Sequence, residues 1–371
     1  MNANIKLGRI WGIPIGLHLS WFLIFGLVTW SLALGYFPEE YPTLTISAYW
    51  ILGVITSILF FGSVLVHELA HALIALRNNL PVRAINLFIF GGVAELTQEP
   101  RSAGAEFRIA IAGPLASLAL AGLFGGLYLL DQQIPLLAAP SLWLARINLL
   151  LAVFNMIPGF PLDGGRILRA AIWWKTDNLQ KATKAAGISG QLVAYGFIVV
   201  GVFIAFSGNF FNGLWLIFIG WFLQNAAASS LTQSQIQETL RGITVTQAMQ
   251  REFPRVSGLT PISQLVEQDI IRGGHRSFLV EEDGRVRGML TLSDIRAIPE
   301  RKWRLMTAQQ VMQPFERLVK VEPTTELMAA LELMEETKVS QLPVVADNQI
   351  LGLLSRDSIT NYLRLRTELG A

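Results

Sequence analysis

Three residues best suited to chemistry stand together: His67, Glu68 and His71, in the stretch "LVHELAHAL" at 65–73. Histidines four apart project from one face of a helix, so both imidazoles can reach one metal ion. A glutamate between them, in H-E-x-x-H, can act as general base toward a metal-activated water. The alternative is a pair of buried histidines and a glutamate satisfied by their neighbours. Ionisable groups inside an apolar helix are expensive to bury and mark function, which favours the metal. Only two other histidines exist, His18 and His275, and cysteine is absent. Disulfides and thiolate ligands are therefore excluded, and a catalytic zinc needs a third protein ligand. Asp163, in "NMIPGFPLDGGR" at 155–166, is the better candidate than either remaining histidine. Gly164 and Gly165 allow close backbone approach behind it, and Pro158 and Pro161 prevent a regular helix just before it. The same stretch also reads as a helix start capped by Asp163, and the two roles are compatible.

The elements that must position these residues are membrane spans. The chain has 371 residues, 52% hydrophobic and 15% charged, a balance too apolar for an ordinary soluble protein. A net charge of +2 with no dense basic stretch gives no case for nucleic-acid binding. Apolar segments near the length of ~20 residues that crosses a bilayer lie around 16–36, 48–76, 109–130, 138–157, 189–207 and 211–230. Lys6 and Arg9 precede the first, but no small-residue cleavage site follows it, so it reads as a retained span rather than a signal peptide. Arg77, Arg83, Arg101 and Arg108 lie between spans two and three, and Arg166, Arg169, Lys175, Lys181 and Lys184 between four and five. The alternate loops carry no Lys or Arg, so both termini are expected in the cytoplasm, with the inner membrane of a cell as the location. Arg146, early in span four, must reach outward or find a partner.

"HELAH" on span two together with "NMIPGFPLDGG" after span four resembles the site-2 protease family of intramembrane zinc metalloproteases, over roughly the first 230 residues. The resemblance implies His67, His71 and Asp163 as zinc ligands and Glu68 as general base. It implies Asn155 as the asparagine that helps hold the substrate or the developing oxyanion, the kind of donor a tetrahedral intermediate requires. A hydrogen bond tying span four to a neighbour is the other reading of Asn155. "LFIFGGVAEL" (Leu87–Leu96) looks like the family's membrane-embedded strand or hairpin, whose edge could pair with an unwound substrate. "AGPLAS" (Ala112–Ser117) resembles the family's third span, with Gly113 read as a close-packing residue, and His18 reads as structural or supporting. Irregular backbone around Asp163 is tolerated where it lines a cavity, which is the expected route for water. The substrate class implied is a single-span protein embedded in the lipid bilayer. Spans five and six are its implied lateral gate.

From about Gly242 the composition becomes mixed and an internal repeat appears. "HRSFLVEEDGRVRGMLTLSDI" (275–295) matches "VSQLPVVADNQILGLLSRDSI" (339–359), and upstream "ITVTQAMQ" parallels "MTAQQVMQ". This is similar to a tandem pair of CBS motifs. The resemblance implies an adenine nucleotide such as ATP, with Thr291 and Asp294 of "GMLTLSD" at the ribose. The second copy keeps Ser355 but has Ser358 at the aspartate position, and Asp357, shifted by one, is expected to face elsewhere, so one competent nucleotide site is expected rather than two. Helix capping is the plainer use of Asp294, and pairing of CBS motifs into a homodimer is the other expected role.

The fold class expected is a multi-span α-helical membrane protein, six transmembrane helices with a short membrane-embedded β element, plus a C-terminal α/β CBS pair. The expected domains are 1–230 for the membrane part, 231–242 for a linker, 243–300 for CBS motif 1 and 301–371 for CBS motif 2. The expected function is that of an intramembrane zinc endopeptidase regulated by the CBS pair. A CBS-regulated metal transporter or channel is the alternative, although it would need neither Glu68 in H-E-x-x-H nor the PLDGG turn.

Overall fold

The chain enters as a β-hairpin rather than as a span. In the computed structural model, which describes residues 4–89, 91–96, 98–130, 132–240, 242–347 and 349–369, strands β1 (Ile5–Ile10) and β2 (Ile13–Leu17) pair antiparallel, Ile10 opposite Ile13. Trp11 and Gly12 between them both have positive φ, 49° and 82°, as a two-residue hairpin turn requires. Ile13, Ile15 and Leu17 are buried on β2. Their alternation lies hidden in an apolar run expected to begin the first span near residue 16. Pro14 and Gly16 suit that run poorly to a helix, and the helix starts at Ser20 instead.

Among the described residues, six helices are long and apolar enough to cross a membrane. They are α1 (Ser20–Glu40), α2 (Ile46–Arg77), α3 (Ala103–Leu130), α4 (Pro135–Asn155), α6 (Leu179–Phe206) and α7 (Phe210–Leu240), the last apolar through Thr232. A shorter helix, α5 (Asp163–Thr176), stands between α4 and α6. The 32 residues of α2 span about 48 Å at 1.5 Å per residue, well beyond a hydrocarbon core of about 30 Å. Polar pairs tie the helices together. Thr29 Oγ1 donates to Ser57 Oγ at 2.9 Å, and Asn148 Nδ2 donates to Ser63 Oγ at 3.3 Å. Such interhelical bonds average only about 0.6 kcal/mol, so they set register more than stability. Arg146 has its partner: Glu40 at the end of α1, at 3.5 Å.

Strands β3 (Val82–Phe88) and β4 (Gly91–Leu96) complete a sheet in the order β1-β2-β3-β4, with β2 and β3 parallel and β3 and β4 antiparallel. The expected hairpin is thus half of a four-stranded sheet, and among the described residues β4 pairs with β3 alone; Phe90, within the expected stretch, lies outside the described residues. Ile13 and Ile15 pack on Leu69 and Ala72 of α2 and on Ile85 of β3, so the sheet is seated on the helix that carries the histidines.

The chain divides into two compact units, Met1–Ser234 and Gln235–Ala371, and α7 continues through most of the stretch expected as a linker. The second unit holds a sheet β5-β6-β7-β8 (Arg255–Ser257, Ser277–Glu282, Arg285–Thr291, Gln313–Pro314) and a pair β9 (Gln341–Ala346) and β10 (Gln349–Ser355). Each repeat is a hairpin feeding a helix, α8 (Leu292–Arg296) after β7 and α9 (Arg356–Leu369) after β10. The hairpins share a bulge at matching positions, passing over Arg287 in one and Leu351 in the other. Gly288 of β7 lies against Met312 and Gln313, and the matching Gly352 of β10 against Met249 and Gln250. Each upstream segment therefore packs on the other repeat's hairpin, and the two repeats are interleaved. Asn348, between Asp347 and Gln349 in the second repeat, lies outside the described residues.

Candidate metal centre and active site

His67 and His71 are buried on α2, one turn apart, and their Nε2 atoms stand 3.2 Å from each other. Asp163 Oδ2 lies 3.2 Å from both. The orientation of His71 is fixed from behind. Its Nδ1 is 2.7 Å from the Ile109 carbonyl oxygen, which can only accept, so Nδ1 carries the proton and Nε2 of the neutral ring presents a lone pair. His67 Nδ1 meets Ser117 Oγ at 2.9 Å, which leaves its Nε2 free to do the same. Two imidazole nitrogens and a carboxylate oxygen converging on one point are a ligand set that could hold a cation between them. Ligands about 2.0–2.1 Å from a tetrahedral zinc stand about 3.3–3.4 Å apart, so the 3.2 Å triangle fits such an ion. Among the described residues this is the one cluster of His, Asp and Glu suited to a metal.

Asp163 is brought to the cluster by α5, of which it is the first residue. The N-cap is Leu162, whose backbone is extended, not Asp163, and the Asp163 carboxylate is turned to the histidines. Gly164 and Gly165 follow for the reason expected: a Cβ on either would fall on backbone of the 156–160 loop.

Helix α3 supplies the backing. Ile109, Gly113 and Ser117 recur every four residues and so share one face. A Cβ on Gly113 would collide with Nε2 of both histidines, so the close packing expected of this glycine is packing against the candidate metal ligands themselves. Sequence reading missed Ile109 and Ser117 as supports. The spacing of Ser117 from Gly113 was a usable signal, whereas a backbone carbonyl has none.

These groups face a cavity of about 530 Å³, lined by His67, Glu68, His71, Asn155, Asp163 and Arg166, with β4 as another wall. Glu68 is half-buried, and a Cβ on Gly92 of β4 would come within 2.5 Å of its Cγ. That glycine leaves room for the glutamate against the strand. Asn155 Nδ2 donates to the Leu151 carbonyl at 3.0 Å, within its own helix, rather than to a neighbouring span. His18 is outside the cluster: its Nδ1 meets Ser20 Oγ at 2.8 Å, and Ser20 Oγ accepts from the Ile89 amide at 3.2 Å. His275 is exposed in the second unit.

The sequence matches peptidase family M50 over residues 55–139 and 132–200, and the CBS domain over 245–300 and 308–365. A candidate zinc metalloprotease of Synechocystis sp. is 37% identical over 98% of this chain and 96% of its own length. The chain belongs to peptidase family M50. A second relative, a candidate zinc metalloprotease of Mycobacterium tuberculosis, is 34% identical over 98% of this chain and 93% of its own. A solved site-2 protease from Methanocaldococcus jannaschii is 32% identical, covering 61% of this chain and 94% of that one at a TM-score of 0.42. By its family and its apolar helices the M50 chain is an integral membrane zinc metalloprotease with a CBS pair, and the transporter reading is set aside.

In the CBS unit of the peptidase, Thr291, Asp294, Ser355 and Asp357 border one cavity of about 610 Å³. Asp294 closes a capping box: its Oδ2 accepts from Thr291 N at 2.9 Å and from Thr291 Oγ1 at 2.6 Å. Its Oδ1 accepts from Gln313 at 3.1 Å. In the second repeat Ser358 takes over the cap, its Oγ accepting from Ser355 N at 3.0 Å. Asp357 does not face elsewhere. It lines the cavity, 3.7 Å from Arg276.

Proposed function

We propose that this metallopeptidase cleaves single-span membrane proteins within the bilayer, with His67, His71 and Asp163 holding zinc. The observation that carries the reading is the 3.2 Å triangle of their ligand atoms beside Glu68 in a cavity walled by an edge strand. A zinc ion there supplies Lewis acidity, lowering the pKa of a water and polarising a scissile carbonyl. Glu68 takes the proton as the water oxygen adds to the carbonyl carbon, then gives it to the amide nitrogen as the carbon–nitrogen bond breaks. The products are a carboxylate and an amine. Asn155, on the cavity wall, turns its amide to the substrate carbonyl and steadies the negative charge that develops on its oxygen. A helical substrate shields its carbonyls with its own hydrogen bonds. Unwound, it adds to β4, whose Gly91–Ala94 segment borders the cavity.

Both termini and the CBS pair face the cytoplasm of a cell whose inner membrane holds the protein, in keeping with the loop cations. An adenine nucleotide such as ATP occupies the CBS cavity, its phosphates met by Arg276, Arg296, Arg317, Lys338 and Arg356, all of which border it. Thr291 and Asp294 take the ribose, and the CBS unit supports a homodimer.

The test is Glu68→Gln in the full-length protein, reconstituted with a single-span substrate. Cleavage is expected to fall about 10²–10⁴-fold, the usual worth of a general base, with zinc content unchanged. Normal cleavage by this variant sinks the mechanism.

A further inference from the structure

We propose that the buried ion pair between Glu106 and Arg169 is the positioning device that carries Asp163 to the two histidines; the proposal rests on Asp163 being a metal ligand. Glu106 is fully buried on α3, on the stripe that continues through Ile109, Gly113 and Ser117 to back both imidazoles. Arg169 is buried on α5, whose first residue is Asp163. The Arg169 Nε donates to Glu106 Oε1 at 2.6 Å, and a terminal nitrogen of the same guanidinium binds the same oxygen. Arg169 also lies 3.6 Å from Glu99 and stacks over Phe160, 5.4 Å from its ring centre, in the loop that leads into Asp163.

Arg166 of α5 lies 4.0 Å from the same Glu106 oxygen, and the remainder of the helix offers little that could set its place. Its buried residues besides Asp163 and Arg169 are Gly164, Gly165 and Ala170, and its N-cap makes no side-chain hydrogen bond. Small residues allow an approach but permit sliding. A guanidinium held by two donors on one carboxylate oxygen does not. One carboxylate oxygen must meet two nitrogens at once, so a shift of α5 along α3 by a fraction of a turn breaks both bonds to Glu106 and carries Asp163 away from the two histidines. Buried ion pairs add little net stability, and an apolar pair of similar volume can replace them without loss of the fold. The expected role is therefore register, not stability.

The test uses full-length protein carrying Glu106→Leu and Arg169→Met together, with Asp163→Ala as reference. Zinc affinity is measured by chelator competition, and melting of the EDTA-treated protein reports the fold. The double variant is expected to melt as wild type does, yet bind zinc about 10–100-fold more weakly, the scale of losing a ligand's support. With cobalt in place of zinc, its absorption spectrum should move toward that of Asp163→Ala. Wild-type zinc affinity and cobalt spectrum in the double variant overturn the proposal, as does a fall in melting that matches the loss of zinc. If the double variant fails to fold, Glu106→Gln, which keeps shape and removes charge, is judged by the same measurements. Wild-type zinc binding by Asp163→Ala would instead overturn the ligand assignment on which the proposal rests.

Discussion

Two cavities of similar volume, about 530 Å³ in the membrane unit and about 610 Å³ in the CBS unit, are built on opposite plans. In the first, the side chains of His67, His71 and Asp163 are nearly buried, and behind each histidine stands a second group that fixes its ring. In the second, the charged walls are open: Arg276 and Asp357 are 68% and 79% exposed, and Arg296, Arg317, Lys338 and Arg356 are exposed too. A catalytic centre must hold its atoms in place before substrate arrives, because reorganising them would raise the barrier. A cavity with the regulatory role proposed for the CBS unit can leave long cationic side chains free and let a ligand order them, at a cost in rotamer entropy of up to about 2 kcal/mol each. Substitutions should therefore act steeply in the first cavity and gently in the second.

The steepest effect should come from a residue with no functional group. Gly113→Ala places a methyl on the Nε2 atoms of both histidines, and neither ring can yield without leaving its hydrogen-bond partner on α3. Zinc content of the purified protein should fall to about a tenth of wild type or less, with cleavage falling in step, while the helical fold survives an overpacking cost of about 1–3 kcal/mol. Wild-type zinc in this variant would mean that α3 moves aside, and the centre would be as yielding as the CBS cavity. Ser117→Ala should act less, since it removes one supporting hydrogen bond and no ligand. Chelator competition should show zinc held about 10–100-fold more weakly, and Ser117→Thr, which keeps the hydroxyl, should recover most of it.

How much of this was legible follows from what each residue had to satisfy. His67 and His71 declare themselves by a spacing of four, and Asp163 by the ligand they lacked. The repeat that became the interleaved CBS pair is written out twice. The backing of the centre is less visible, because Ile109 contributes a backbone oxygen and Gly113 an absence. Arg169 was counted as a loop cation when orienting the spans, yet it is buried against Glu106. Counting charges between apolar segments does not separate a cation in solvent from one folded under the membrane domain. The β1–β2 hairpin was overlooked because its alternation sits at the edge of a continuous apolar run, where period two and the start of a span look alike.

The smallest effect, and the most informative about the open cavity, belongs to Asp294→Asn. Asp294 has two uses that the geometry superimposes: its Oδ2 already accepts from the amide and hydroxyl of Thr291, while its side chain borders the cavity. An asparagine oxygen can accept both Thr291 bonds, and the exposed Gln313, which now donates to Oδ1, can turn its own oxygen to the new amide, so the cap should hold and melting of the full-length protein should shift by no more than about 1–2 °C, below the usual effect of losing a cap. A ribose hydroxyl, by contrast, would exchange a charged acceptor for a neutral one. Hydrogen bonds to charged groups are roughly twice as strong as neutral ones, so ATP affinity by calorimetry should drop about 3–10-fold. Unchanged ATP affinity with an unchanged melt would leave the Asp294 charge without a part in binding. Unchanged affinity with a melt lowered by several degrees would make Asp294 a cap alone, matching Ser358, which does that work in the second repeat without a charge.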